Sequence, residues 1–212
     1  MIFFSILKQI WKGHSMARAL MNESFRDKSL NGQIVDIGGG RSPDYFLYFN
    51  MLPQSVVEPV DKKIQDIDFE TDALPYKDTV IDTVVCCNLL EHIYNHKHLT
   101  QEIFRALKSQ GLFVGFVPFL VQYHPDPRDY FRYTEEALKR IFTDSGFVDI
   151  RVEIIGIGPI AVLYSILASP LPKALRLLLF IILYPVAILT VKIKPSLLRR
   201  FPLGYTFVAH KP

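Results

Sequence analysis

Gln33-Ile34-Val35-Asp36-Ile37-Gly38-Gly39-Gly40-Arg41-Ser42-Pro43 decides how the chain is read. A short apolar, β-branched run passes directly into three glycines. The run reads as a buried strand, and the glycines as a tight turn whose missing Cβ atoms let backbone approach a ligand closely. Working outward, further strand-like runs follow at Ser55–Val60, Ile81–Asn88, Gly111–Pro118, Phe147–Ile155 and Tyr205–Ala209. A weaker one lies at Ile67-Asp68-Phe69. Helical spacing appears between them. From Asn95 to Gln110, Leu99, Ile103, Phe104 and Leu107 share one face, with Gly111 as the stop. A second helix opens at Thr134 with Glu135 and Glu136 in its first turn, buries Leu138, Ile141 and Phe142, and ends at Ser145-Gly146. Strands alternating with helices predict an α/β fold, with a largely parallel, seven-stranded Rossmann-like sheet covered by helices on both faces.

The glycine turn excludes some ligands. A dinucleotide fingerprint needs glycine at position 43, where Pro43 stands. A Walker phosphate loop needs G-K-[ST], which is absent. Ligands of open α/β sheets lie beyond the carboxyl ends of the strands, at the point where strand order reverses. Those ends carry Asp36, Glu58 and Asp72, then Asn88, Glu91 and His92. So many carboxylates suit a cationic or hydroxyl-rich ligand and not a polyphosphate. Glu58 is spaced to accept the two hydroxyls of a ribose, with Asp61 as the nearby alternative.

These stretches together resemble the class I S-adenosylmethionine-dependent methyltransferases, and within them the broad type 11 methyltransferase domains. The resemblance rests on Val35–Gly40, Val57-Glu58-Pro59, Asp72-Ala73-Leu74-Pro75-Tyr76, Ile81–Val85, Asn88-Leu89-Leu90-Glu91-His92 and Arg105–Gly111. It extends to Pro118-Phe119-Leu120, His124 and Asp129–Thr134. It implies S-adenosylmethionine as cofactor. Asp36, Gly38, Gly39 and Gly40 would border its methionine part and Glu58 its ribose. Asp72 and Ala73 would contact the adenine, and Asn88 would lie beneath. Ser42 replaces the third small residue of the usual loop.

Methyl transfer from a sulfonium needs alignment and, for a hydroxyl acceptor, a proton acceptor. His92 and His124 both follow strands at the expected edge. His124 sits in the long loop Phe119–Arg132 with Asp126, Arg128, Asp129, Tyr130 and Arg132, pinned by Pro125 and Pro127. One expectation makes His124 the base, with Asp129 or Tyr130 as its orienting partner. The other makes the loop architectural, with Asp129 paired to Arg132. His92 is expected to be structural or cofactor-orienting more than catalytic. No Cys/His set has zinc spacing, and no metal is expected.

Charge divides the chain. None of the 21 acidic residues follows Glu153, while seven of the 24 basic residues do, so the tail carries +7 and the first 153 residues −4. Between the last two predicted strands lie two uncharged apolar stretches, Ile154–Pro172 and Leu177–Val191, broken by prolines. If both flanking strands belong to one sheet, the insertion crosses a membrane an even number of times, and the expectation is none. The organisation is then an amphipathic helical segment (1–30), a methyltransferase domain (31–156 with 203–212) and a hydrophobic, basic insertion (157–202). The insertion fits an anionic membrane surface. Alternatively it closes the pocket or forms a homodimer interface. Nucleic acid is not expected, because the basic residues alternate with Leu and Ile and not with stacking aromatics. The only cysteines, Cys86 and Cys87, are adjacent on a strand and cannot easily bridge, which suits a reducing cytoplasm. The first residues lack a basic segment and a cleavage site, so no secretory signal is expected. The leading expectation is O-methylation of a small or lipid-linked, glycan-type acceptor at the inner face of a membrane. An NAD(P)-dependent oxidoreductase and a non-catalytic membrane partner protein are the alternatives.

Overall fold

The computed structural model describes residues 2–41 and 43–212, so Ser42 lies outside the described residues. In chain order, α1 (Ile2–Lys12) and α2 (Met16–Ser24) lead into β1 (Ser29–Leu30) and β2 (Gln33–Ile37). After the glycine turn come a 3-10 turn (Asp44–Tyr48), β3 (Asn50–Met51), β4 (Val56–Val60) and the short α3 (Lys62–Gln65). Next are β5 (Ile81–Cys87), a 3-10 turn (Leu90–His92), α4 (His96–Ala106), β6 (Leu107–Pro118), α5 (Glu135–Asp144) and β7 (Val148–Ile155). The chain closes with α6 (Pro159–Ala168), α7 (Lys173–Ile193), α8 (Ser196–Arg200) and β8 (Gly204–His210).

The main sheet has the order β4-β2-β5-β6-β8-β7. β8 runs antiparallel to both neighbours, and the pairs β4–β2, β2–β5 and β5–β6 are parallel. β4 lies on one side of β2 and β5 on the other, so strand order reverses at the carboxyl end of β2. β1 and β3 form a separate two-stranded ribbon.

The α/β class is as the sequence predicts, but the sheet has six strands. Ile67–Phe69 is loop. The reason lies in β4. Its Val56 amide donates to the Gly32 carbonyl and its Val60 carbonyl accepts from Gly38, so the even-numbered residues face β2. Pro59 therefore presents its missing N–H to the free edge, which offers a poor template for a further strand. α4 also stops at Ala106 and not at Gln110. Leu107 turns extended and pairs with Ile81, while the Lys211 ammonium takes the carbonyls of Arg105 and Leu107.

One sheet face buries Leu99 and Ile103 of α4 and Leu138 and Phe142 of α5 against Val35, Ile37 and Phe113. The other face packs Met21 of α2 and Phe25, just past its end, with Tyr45 and Phe49. A third layer lies outside α2, where Ile6 and Ile10 of α1 meet Ala161 and Tyr164 of α6 and Phe180 of α7. The N-terminal helix and the insertion thus share one core. Phe3 stacks on Phe180 at 5.4 Å and lies 5.3 Å from Tyr184. A polar seam of Gln9, Asn22 and Glu23 ties α1 to α2.

Candidate active site

The glycine turn sits at the reversal point. Gly38 and Gly40 have φ of +77° and +74°, a region that L side chains rarely adopt. The Gly38 amide donates to the Val60 carbonyl (2.8 Å) and the Gly40 amide to Asp61 Oδ2 (3.2 Å), so the turn is laced to the end of β4. A Cβ on Gly39 would collide with Asp36 Oδ2 and the Tyr45 hydroxyl. Asp36 is fully buried beneath it. One carboxylate oxygen accepts from the Tyr45 hydroxyl, and the other has no protein partner. Burial, only partly offset by that hydrogen bond, pushes the Asp36 carboxyl up to about 7.

Beside the turn opens a cavity of about 360 Å³, within the range of small-molecule sites. Gly38 and Asp61 form one wall, and Asp68, Phe69 and Glu70 another. Asn88, Leu89 and His92 form the floor beyond β5, and Asp126, Arg128 and Tyr130 overhang from the loop after β6.

This places the predicted residues unevenly. Gly38, Asn88, His92 and Tyr130 reach the cavity. Glu58 does not: it pairs with Val35 in mid-strand and lies on an exposed face near the Tyr76 hydroxyl. Asp61, the residue after the last one of β4, takes the position at the strand end. Asp72 and Ala73 also fall outside the wall. The Asp72 carboxylate accepts from the Asp68 amide (2.8 Å) and so props the loop that presents Asp68 to Glu70. The missing strand at 67–69 explains the slip. Without pairing to hold it extended, the segment curls, and its earlier residues face the ligand side.

His124 and Asp129 stand behind His92. The Asp129 carboxylate pairs with the Arg132 guanidinium, which holds it below the usual carboxylate range, and accepts from the His124 amide (3.0 Å). His124 directs Nδ1 at the Gln122 carbonyl (2.9 Å) and Nε2 toward Glu91 (3.6 Å), so neither ring nitrogen addresses the cavity. The sequence puts Glu91 at the ligand edge beside His92 but assigns it no catalytic or cofactor role. It is fully buried, and neither oxygen has a hydrogen-bond partner. Its backbone carbonyl accepts from Tyr130 and Phe131, which clamps the long loop onto the turn after β5.

An α/β sheet whose strand order reverses at a glycine turn, with an acid-lined cavity at that edge, is the architecture of the class I S-adenosylmethionine-dependent methyltransferases, and the chain has that fold. Its residues 50–115 match the methyltransferase domain family. Phosphoethanolamine N-methyltransferase 2 of Haemonchus contortus, solved with S-adenosylhomocysteine and phosphomonomethylethanolamine, is 18% identical with a TM-score of 0.52. The match covers 91% of this chain and 51% of that one, so this chain spans about half the length of that protein. An S-adenosylmethionine-dependent methyltransferase from Archaeoglobus fulgidus is 16% identical over 97% of this chain and 98% of that one (TM-score 0.52). Geranyl diphosphate C-methyltransferase of Streptomyces coelicolor A3(2) is 14% identical over 92% and 78% (TM-score 0.54). No curated protein sequence matches the chain significantly.

Proposed function

We propose that the chain is an S-adenosylmethionine-dependent methyltransferase acting on an oxygen of a small or lipid-linked acceptor. The observation that carries this is the cavity at the reversal point, with Gly38 of the glycine turn and the strand-end carboxylate of Asp61 on its wall and Asp36 buried beneath the turn. These groups fit S-adenosylmethionine. Glycines without Cβ atoms leave room for the methionine part, and Asp36, buried beneath them, supports the turn. Asp61 accepts from the ribose hydroxyls. Asp68, Phe69 and Glu70 edge the adenine, and Asn88 lies beneath. The cofactor, when bound, supplies an electrophilic methyl group. The chain's part is to hold an acceptor in line with it, between His92 and Tyr130 and against the loop that Glu91 clamps. A polar wall of imidazole and phenol favours a hydroxyl acceptor.

Calorimetric titration with S-adenosylmethionine and S-adenosylhomocysteine, with NAD as control, tests the reading. Selective micromolar binding is expected, and a folded protein that binds neither ligand would sink it. Gly38→Val places a side chain on Leu89 at a position with positive φ. It should abolish this binding while the far-ultraviolet circular dichroism is retained.

Asp36 gives a pH signature. Its folded-state pKa lies above its unfolded value, so the folded protein holds a proton that the unfolded chain releases between about pH 4 and 7. The stabilisation is complete below that window and is lost as pH rises through about 7. Urea midpoints should therefore fall from pH 5 to pH 8. Asp36→Asn keeps an acceptor for Tyr45 and should flatten the slope. An identical slope in the variant would place its origin in another group.

The same reading puts α1, α6 and α7 against an anionic membrane. α7 has the length and composition of a membrane-crossing helix, yet it packs along α1 and α6, and β7 and β8 on either side of the insertion share one sheet. An in-plane orientation satisfies both facts. Phe4, Trp11, Ile166, Leu178, Ile182 and Leu189 face outward. Lys12, Lys173, Lys192 and Lys194 lie at the ends of these helices, where headgroups would meet them.

A further inference from the structure

The acceptor side of the cavity holds an arrangement that methyl transfer alone does not account for. Glu91 is fully buried, and both of its carboxylate oxygens lack hydrogen bonds. Two imidazoles converge on it: His92 Nε2 lies 3.7 Å and His124 Nε2 3.6 Å from Glu91 Oε1. Both distances exceed a hydrogen bond. The far nitrogen of each ring settles what the near one carries. His92 Nδ1 meets the Arg128 carbonyl at 2.5 Å, and His124 Nδ1 meets the Gln122 carbonyl at 2.9 Å. A carbonyl oxygen only accepts, so each Nδ1 carries a proton, and in the neutral ring Nε2 turns its lone pair toward the carboxylate. His124 Nδ1 also lies 3.5 Å from Asp129 Oδ2 and 3.4 Å from Arg132 Nη2, and the Glu91 carboxylate holds the His124 imidazole above the ordinary histidine range. A desolvated anion faced by two imidazoles calls for a positive charge at this point, either a proton on an imidazole or a metal ion held by all three groups.

We propose that Glu91, His92 and His124 bind a divalent first-row transition-metal ion. The three donor atoms lie within 4.8 Å of one another, and closing each onto an ion at about 2.0–2.2 Å takes small movements of ring and carboxylate. Backbone carbonyls on both Nδ1 atoms are the outer-shell partners that fix a ligating imidazole. The loop is held in place by the Tyr130 and Phe131 amides on the Glu91 carbonyl and by the Asp129–Arg132 pair. Two nitrogens and one carboxylate oxygen favour zinc, cobalt, nickel, iron or manganese over calcium and magnesium. Three protein ligands leave coordination open, and one of them, His92, also lines the cavity. There the ion would hold an acceptor oxygen, a role that rests on the methyltransferase reading. Binding of the ion itself does not.

The test uses untagged full-length protein stripped with chelator and titrated with cobalt(II), followed by visible absorption and calorimetry. One ion per chain with the absorption of a nitrogen-ligated low-symmetry site is expected. Glu91→Gln and, separately, His124→Asn should each weaken binding more than about tenfold. S-adenosylhomocysteine affinity of the same variants reports that they remain folded. Two results would overturn the site: no cobalt spectrum in the wild type, or Glu91→Gln binding as tightly as wild type. The second would mean that a proton or solvent balances the buried carboxylate. Loss of S-adenosylhomocysteine binding by the wild type, with the cobalt spectrum intact, would instead remove the cofactor reading and leave the metal site standing.

Discussion

Asp61→Ala is expected to weaken S-adenosylmethionine and S-adenosylhomocysteine binding by about 100-fold, and Glu58→Ala to leave it within about twofold. The estimate takes two hydroxyl hydrogen bonds to a carboxylate at about 1.5 kcal/mol each, and about 1.4 kcal/mol per tenfold in affinity. The two residues are three positions apart and carry the same charge, so long-range electrostatics cannot separate them; only geometry can. Asp61 follows the last residue of β4, accepts from the Gly40 amide and lines the cavity. Glu58 sits in mid-strand opposite Val35, beside Tyr76. Truncating Asp61 also frees the Gly40 amide, so part of the loss arrives through a looser glycine turn. Measuring S-adenosylhomocysteine alongside adenosine separates the two effects. Adenosine keeps the ribose contacts but does not use the methionine side of the turn, so its loss reports the ribose share alone and the excess loss of the whole ligand reports the turn. A collapse of affinity in Glu58→Ala with none in Asp61→Ala would restore the mid-strand carboxylate as the ribose partner.

That substitution pair also marks where the sequence stopped being readable. The buried strands were legible because a parallel strand covered on both faces is an unbroken apolar run. β2, β5 and β6 announce themselves that way; β2 and β5 run into Gly38 and Asn88, and β6 ends in Pro118. The edge was not legible. Whether Ile67–Phe69 pairs depends on which way Pro59 turns its vacant donor, a property of register that composition does not hold. From that one slip came the shift from Asp72-Ala73 to Asp68–Glu70. The end of β4 is likewise a matter of where pairing stops, which decides between Glu58 and Asp61. The role of Glu91 was not legible for a different reason. A glutamate beside a histidine in a loop looks solvated, and only the return of the loop after β6, bringing His124 over it, makes it a buried anion. The ring tautomers that point both lone pairs inward are set by two main-chain carbonyls, which no side-chain pattern records.

Vesicle binding should vanish in the triple variant Leu178→Glu, Ile182→Glu, Leu189→Glu, while S-adenosylhomocysteine affinity is retained. These positions lie on the outward side of α7 and each is about half exposed or more (55%, 56% and 58%), so polar replacements leave the shared core of Phe180, Tyr164 and Ile6 intact. Fully withdrawing one such side chain from water stabilises by about 1.5–3 kcal/mol. Three partly inserted side chains, replaced by charges that an anionic surface repels, should cost more than about 3 kcal/mol, or over about 100-fold in partitioning. Flotation with vesicles of mixed phosphatidylcholine and phosphatidylglycerol reads this directly. Wild type should float, and less so at high salt, because the lysines at the helix ends contribute screened attraction. Its face is also continuous across two parts of the chain far apart in sequence, since Phe4 and Trp11 of α1 flank the same surface. Phe4→Glu with Trp11→Glu should therefore weaken flotation as well, which a membrane contact confined to the insertion would not show. If neither protein floats, and a wild-type dimer falls apart in the triple variant, the face belongs to a second copy of the chain. A lipid-linked acceptor would then lose its support, because the proposal of a lipid tail rests on that surface lying in the membrane.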